Sequence, residues 1–248
     1  MLNKRTAGRR RGPASQRPAG VRLLQVGVDR SAERARQDYV KAIYQLGGSQ
    51  PVKAAAVARY LGVSRASMSM SKRLLEQRGL IGASRGRTDA LRLTARGRAL
   101  AVSMLRRHRL VETFLYRSLR LPLERLHAEA ESIEHAISED IARRLARFLS
   151  YPAVDPHGHR IPYRAAKAAE APEVPLCDVK AGSVVQVTSI PDRDPGVVRA
   201  LSARRILPHV RALVLASGAK KIRLNVKGRL FDLKRSAGAR VRVRLVAQ

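Results

Sequence analysis

The sequence has a single cysteine, Cys177, no tryptophan, and only 4% aromatic residues in 248. One cysteine excludes a disulfide framework and a thiolate zinc site of the finger type. Acidic residues are also scarce: 19 Asp and Glu stand against 50 Lys and Arg, a formal net charge of +31. No apolar run approaches the roughly 20 residues that a membrane-spanning helix needs. Hydrophobic residues nonetheless make up 45% of the chain, so most of it can bury a core rather than stay a solvated polycation. The length suits two or three small domains.

An imbalance of this size costs self-repulsion in the compact state, and a polyanionic partner offsets it. Nucleic acid is the natural candidate. An anionic membrane surface lacks an amphipathic anchor here, and an arginine-rich proteome would raise the charge without any partner. Residues 1–30 carry eight Lys and Arg against one acid, Asp29, and include the run Arg9–Arg10–Arg11–Gly12–Pro13. This composition reads as a disordered basic arm, not a signal peptide, because no apolar centre follows the basic start. A cytoplasmic protein without membrane contact is expected.

Residues 31–96 read as a winged helix–turn–helix. Ser31 is the expected N-cap of an amphipathic helix with Tyr39, Ile43 and Leu46 on its inner face, ended by Gly47–Gly48. A short helix over about Val52–Leu61 and a turn at Gly62–Val63 follow. Ser64 caps a second helix that runs to about Arg78. Two β runs then flank Arg85–Gly86–Arg87–Thr88–Asp89 and form the wing. On the helix after Ser64, the stripe Met68, Ser71 and Leu75 is expected to face inward. Arg65, Ala66, Ser69, Met70 and Arg73 then face outward beside Ser67 and Lys72. Short hydroxyls and cations let a helix approach base edges and phosphates in a major groove, with Ser64 and Ser67 at the favourable helix N-terminus. Arg85 and Arg87 would touch DNA from the wing. An ordinary basic helical hairpin is the bland alternative.

Residues 97–163 read as helical, with helices over about Ala95–Leu119, Leu123–Ile137 and Ser138–Leu149, then a proline-rich loop over 151–162. Residues 164–175, rich in Ala, Glu and Pro, read as a linker. In 176–248 the period becomes two, and five short strands suggest a small barrel. Histidines 157, 159 and 209 read as loop or barrel residues, and Cys177 as a small buried one.

Residues 124–140 hold six acids (Glu124, Glu129, Glu131, Glu134, Glu139, Asp140) and one base, Arg125, a local charge of −5 in a cationic chain. On one helix, His127, Glu131, Glu134 and His135 share a face beside an apolar stripe of Leu126, Ala130, Ile133 and Ile137. Carboxylates so close repel unless a cation joins them. His108 and Glu112, one turn apart, and Asp38 on the first helix are further candidates. Oxygen and imidazole donors without thiolate suit Mn²⁺ or Fe²⁺ and are compatible with zinc. A solvated acidic face is the other reading, since E-x-x-H is common on helices. The spacing H-E-x-x-H, a Gly-rich phosphate loop and a nucleophile elbow are all missing, so an enzyme is not expected.

These residues lie in an ordered series of blocks: Asp38–Tyr39–Val40–Lys41–Ala42–Ile43–Tyr44, Leu61–Gly62–Val63–Ser64, Gly79–Leu80, Leu93–Thr94–Ala95–Arg96–Gly97, Arg107–His108–Arg109–Leu110–Val111–Glu112 and Glu131–Ser132–Ile133–Glu134–His135–Ala136–Ile137–Ser138. Over about 33–163 the chain resembles the diphtheria-toxin-repressor and manganese-transport-regulator family of metal-dependent repressors. Pro156–His157–Gly158 and Ile161–Pro162 fit the end of that match. The C-terminal part is more weakly similar to the SH3-like (FeoA-type) barrel of longer members.

The resemblance implies a mainly α fold with a small β part: winged helix, helical dimerisation domain and barrel. It also implies a homodimer that binds a palindromic double-stranded operator and represses metal-uptake genes. Asp38, His108, Glu131, Glu134 and His135 match ligand positions of the family. Iron-type members have Met in place of Asp38 and Cys in place of Glu131, so the resemblance favours Mn²⁺, with Fe²⁺ as the alternative. Lys41 stands where manganese-type members have a ligating Glu, and a lysine is no ligand at neutral pH. His108, Glu112 and His127 match the ancillary site of the iron type, for which Asp192 is a candidate ligand from the barrel. Two separated sites are therefore expected: Asp38, Glu131, Glu134 and His135 in one, and His108, Glu112 and His127 in the other. A winged-helix regulator that answers a non-metal ligand is the rival reading, as is a sequence-indifferent nucleoid binder.

Overall fold

Side-chain caps and left-handed turns cut the helical segments to length. The computed structural model describes residues 20–83, 89–163 and 172–246. Helix α1 spans Gly20–Gly47, strand β1 Val52–Lys53, helix α2 Ala54–Leu61 and helix α3 Arg65–Gln77. Gly62 ends α2 in the left-handed region at φ 69°, and Ser64 caps α3 by accepting from the Ser67 amide. Strand β2, Ala90–Leu91, pairs antiparallel with β1, and an isolated bridge joins Ile81 to Leu93. Tyr39, Val40 and Ile43 of α1 pack with Val57, Met68, Leu75, Leu80 and Leu91 in one core.

Several expectations for this head change. Helix α1 starts at Gly20 rather than at Ser31, so residues 20–30 are helical instead of part of an arm and Ser31 caps nothing. Residues 1–19 of the expected arm lie outside the described residues, as do Arg85 and Arg87 of the expected wing. Leu46 is 42% exposed, because α1 runs past the edge of the core before Gly47. Val52 is in a strand and not in α2: its backbone pairs antiparallel with Leu91.

Helix α4, Ala95–Arg117, is capped by Thr94, whose hydroxyl accepts from the Gly97 amide and donates to the Gly79 carbonyl. A 3-10 turn over Leu123–Arg125 leads into α5, Leu126–Ile133. A second 3-10 turn, Glu134–Ala136, precedes α6, Glu139–Phe148, which is capped by Ser138. The single helix expected over 123–137 is thus an α segment between two tighter turns. The tightening rotates the face after Ala130, so Ile133 ends 37% exposed while Glu134 is fully buried.

Strand β3, Val174–Pro175, falls in the expected linker, where it pairs with the last strand. Strands β4 (Val184–Ser189), β5 (Arg211–Ser217), β6 (Lys221–Val226), β7 (Arg229–Lys234) and β8 (Arg242–Leu245) follow. Helix α7, Pro195–Ala203, sits between β4 and β5, and the single turn α8, Arg235–Gly238, sits between β7 and β8. The antiparallel order is β3-β8-β4-β5-β6-β7, which is open among the described residues rather than a closed barrel. Alternating burial along β4 and β6 puts Val185, Val187, Ile222, Leu224 and Val226 in a core that continues through Val111, Leu115, Leu123, Leu126 and Ala130 of the helices. The sheet is therefore packed on the helical part. Among the described residues no helix is long and apolar enough to cross a membrane.

Candidate metal centre

Helices α1 and α4 lie side by side, and α5 packs across α4. That arrangement brings residues far apart in sequence into two neighbouring nests. The first joins head to helical domain. Asp38 of α1 has Oδ1 3.0 Å from His135 Nε2, and the same nitrogen is 3.5 Å from Glu134 Oε1. His135 Nδ1 donates to Gln37 Oε1 at 2.8 Å, which aims Nε2 at the two carboxylates. Asp38 Oδ1 is buried and meets no donor. Arg34, one turn before Asp38, donates to the carbonyls of Glu131 and Ser132 and so ties α1 to the end of α5.

The second nest joins the helical domain to the sheet. His108 Nδ1 donates to Glu134 Oε2 at 2.5 Å. Its Nε2 lies 3.1 Å from His127 Nδ1 and 3.3 Å from Glu112 Oε1. Asp192, in the turn between β4 and α7, brings Oδ2 to 3.9 Å from His127 Nδ1. Neither oxygen of Glu112 meets a donor in hydrogen-bond geometry, although the side chain is fully buried. Buried acceptors that converge without a donor are what a cation satisfies.

Among the described residues, four groups of side chains are spaced to hold a metal ion: His108–Glu112–His127–Asp192, Asp38–Glu134–His135, His108–Glu131–Glu134 and Glu112–Asp155–His157. The donor sets of the first two, carboxylates and imidazoles only, fit a hard or borderline divalent ion such as Mn²⁺ or Fe²⁺. The third is already filled from within the chain. The Lys41 ammonium lies 2.7 Å from Glu131 Oε1 and 2.5 Å from Glu134 Oε1. Glu131, expected beside Asp38, instead joins Lys41.

The charges are correspondingly perturbed. Burial opposes the charge on Lys41, but Glu134 and Glu131 outweigh it and raise the pKa. Burial likewise opposes the imidazolium of His108, yet Glu112 and Glu134 push its pKa up to about 10. Glu112 is held well below the ordinary carboxylate range: His108 and His157 overcome the cost of its burial. His127 is lowered, chiefly by burial.

Three residues of this region escape a reading by helical spacing: Asp155, His157 and His159. Their loop docks on β4 because Gly158, at φ +91°, lets its backbone touch Thr188, where a Cβ would lie 2.0 Å from the carbonyl oxygen. Asp155 Oδ1 accepts from the amides of His157 and His159. His157 is fully buried, its Nε2 donates to the Leu123 carbonyl, and its Nδ1 lies 3.5 Å from Glu112 Oε1. Far from being ordinary loop histidines, His157 backs Glu112 and His159 faces Asp155 and Asp192 at 3.4 and 3.7 Å. The signal in sequence is Asp155–Pro156–His157–Gly158–His159, three potential ligands within one tight turn.

On α3, Met68 and Leu75 are buried, and Ser64, Arg65, Ser67, Ser69, Met70 and Arg73 are exposed, with Lys72 and Ser71 half-buried. Met70 reaches 74% exposure. The head also touches the sheet domain directly. The Arg193 guanidinium sits 3.8 Å from the centre of the Tyr60 ring and donates to the Tyr60 carbonyl at 3.1 Å. The Tyr60 hydroxyl donates to Gln45 of α1.

Residues 94–163 match the family model for the iron-dependent repressor metal-binding and dimerisation domain. The iron-dependent repressor IdeR of Mycobacterium leprae is 33% identical over 204 residues, 77% of this chain and 87% of that protein. The diphtheria toxin repressor of Corynebacterium diphtheriae is 33% identical over 126 residues, half of this chain and 54% of that protein. Among solved structures, a manganese-dependent transcriptional repressor in complex with manganese superposes with a TM-score of 0.77 at 33% identity, over 85% of this chain and 100% of that one.

Proposed function

The chain belongs to the diphtheria-toxin-repressor family of iron- and manganese-dependent repressors, and from that membership we propose a homodimer that binds a palindromic operator when loaded with divalent metal and represses metal-uptake genes. It is a transcriptional regulator and not an enzyme. The observation that carries the reading is Asp38: it reaches from the head toward Glu134 and His135 of the helical domain, with Oδ1 buried, without a hydrogen-bond partner and 3.0 Å from His135 Nε2. Asp38, Glu134 and His135 would hold one ion, and His108, Glu112, His127 and Asp192 a second. A bound divalent ion supplies the positive charge that these converging lone pairs lack. Mn²⁺ is favoured by the carboxylate donors, Asp38 among them, with Fe²⁺ the alternative carried by the mycobacterial relative.

The chain's own residues supply the transmission. Asp38 is rigidly joined to the head, because its neighbours Tyr39 and Val40 lie in that domain's core. Fixing Asp38 against Glu134 and His135 therefore fixes the orientation of α3. Two reading helices of a dimer must enter successive major grooves about 34 Å apart, so their angle decides affinity. We read the head as a winged helix–turn–helix, with Ser64, Arg65, Ser67, Ser69, Met70, Lys72 and Arg73 toward DNA and Arg85 and Arg87 on the wing. The C-terminal sheet is taken as the SH3-like unit, with Asp192 as its contribution to the second site. For dimerisation, Ile141, Leu145 and Phe148 of α6 form a stripe turned away from the core, with Ile141 46% and Phe148 67% exposed. By linkage, operator DNA must raise metal affinity by the factor that metal raises operator affinity.

The test is a mobility shift with operator DNA across Mn²⁺, Fe²⁺ and Zn²⁺, with and without chelator. Retardation only in metal is expected. Equal binding by the chelated dimer would overturn the reading.

A further inference from the structure

We propose that the Lys41 ammonium is a built-in cation: it takes the place of one ion between Glu131 and Glu134, limits each protomer to two divalent ions, and latches α1 to the helical domain before any metal binds. This rests on the metal-dependent reading above and adds a role for a residue that cannot itself be a ligand.

Three observations carry it. First, the place is filled. Glu131, Glu134 and His108 are spaced to hold an ion, and Lys41 Nζ stands within 2.7 and 2.5 Å of the two carboxylates. A divalent ion there would have to displace the ammonium of a side chain that is only 7% exposed and paired on two sides, or share its pocket at like charge. Second, Lys41 follows Asp38 by three residues on α1, so one helical face presents an acid and a base to the helical domain side by side. Asp38 needs a cation from outside, whereas Lys41 brings its own. Third, the charges balance. Asp38, Glu131, Glu134, Glu112 and Asp192 carry five negative charges, and Lys41 with two divalent ions supplies five positive ones. A third divalent ion would leave the buried cluster positive. Asp155 stays outside this count because Arg109 Nε lies 3.6 Å from it.

The latch has a functional meaning. Metal-free chain keeps α1 attached through Lys41 and Arg34, so metal has to set the angle of a docked head rather than capture a free one.

The experiment counts Mn²⁺ per protomer by equilibrium dialysis and native mass spectrometry, and measures Tm in chelator, on the full chain and two variants. Wild type is expected to take two ions. Lys41→Glu is expected to take three, since it removes the resident cation and adds a carboxylate. Should it fold only in metal, it is refolded in Mn²⁺ and counted there. Lys41→Gln is expected to take no additional ion and to melt about 5 °C or more below wild type in chelator, because the fully buried Glu134 and the half-buried Glu131 lose their shared partner. Three ions on wild type, two on Lys41→Glu, or an unchanged metal-free Tm for Lys41→Gln would each overturn the proposal. Failure of the underlying reading looks different: wild type would take up no ion, while the Tm contrast in chelator would persist.

Discussion

The two acidic nests differ in what they join and in how they are neutralised. The one around Glu134 joins the N-terminal unit of α1 to α3, proposed above as the DNA-binding head, to the helical domain and already contains the ammonium of Lys41. The one around Glu112 joins the helical domain to the C-terminal sheet and holds no lysine or arginine among its candidate ligands, only the carboxylates of Glu112 and Asp192 and the imidazoles of His108 and His127, with His157 behind Glu112. The difference teaches a division of labour. On the proposed reading, the head-side nest is latched by Lys41 without metal and tuned by metal. The sheet-side nest has no lysine or arginine, only the imidazole of His108 between Glu112 and Glu134, and so leans more on an added ion. His108 belongs to both, one ring nitrogen on Glu134 and the other toward Glu112, so the nests are not independent.

The largest expected effect strikes the shared carboxylate. Glu134→Ala removes partners from Lys41, His108 and His135 together. Metal-dependent operator affinity should fall at least about 100-fold in a mobility shift. Urea unfolding in chelator should show a loss of about 3 kcal/mol, since one of two counter-ions of a buried ammonium is gone. Undiminished operator binding would erase the distinction between the nests.

Next is Asp192→Ala, which should weaken the sheet-side ion at least about 100-fold while leaving the head-side ion bound. A titration resolving two classes of site checks this, and simultaneous loss of both ions would show one fused centre instead of two.

His157→Ala should cost roughly 10-fold at the sheet-side site alone, through the orientation of Glu112. The same titration reads it, and an unchanged affinity would make His157 a packing residue of its loop.

The smallest effect is expected from Arg193→Ala. Losing the stacked guanidinium on Tyr60 should lower operator affinity by about 0.5–1 kcal/mol without changing metal affinity at either site by more than the linked amount. Fluorescence anisotropy with labelled operator at saturating Mn²⁺ measures it.

Much of this was legible in the chain. Helix α3 with its Ser64 cap, and its inner residues Met68 and Leu75, follow from local capping and periodicity. So do α4 and the strands β4 to β8, whose alternation marks one buried face. The candidate ligands on α4 and α5 were found because acids and histidines recur at helical spacing. What escaped depends on contacts between elements. Lys41 could be read as a non-ligand, yet nothing in α1 shows that its ammonium ends between Glu131 and Glu134. The exposure of Ile133 follows from a change of helical pitch that its composition does not announce. His157 and His159 sit in a proline-rich loop without periodicity, and only the approach of Gly158 to Thr188 turns them inward. Strand β3 hides in an Ala- and Pro-rich stretch because its two residues gain their pairing from β8 alone.

Asp192 and Arg193 are consecutive, yet one points into the sheet-side nest and the other lies on Tyr60 in the head. A single peptide unit thus serves as a strut with a foot in each neighbouring domain. Any rearrangement of the β4–α7 turn is felt at both feet together. A version of this protein shortened before that turn would lose the proposed ion ligand and the brace on Tyr60 in one stroke, so on this reading the C-terminal sheet is a working part of the lever and not an appendage to it.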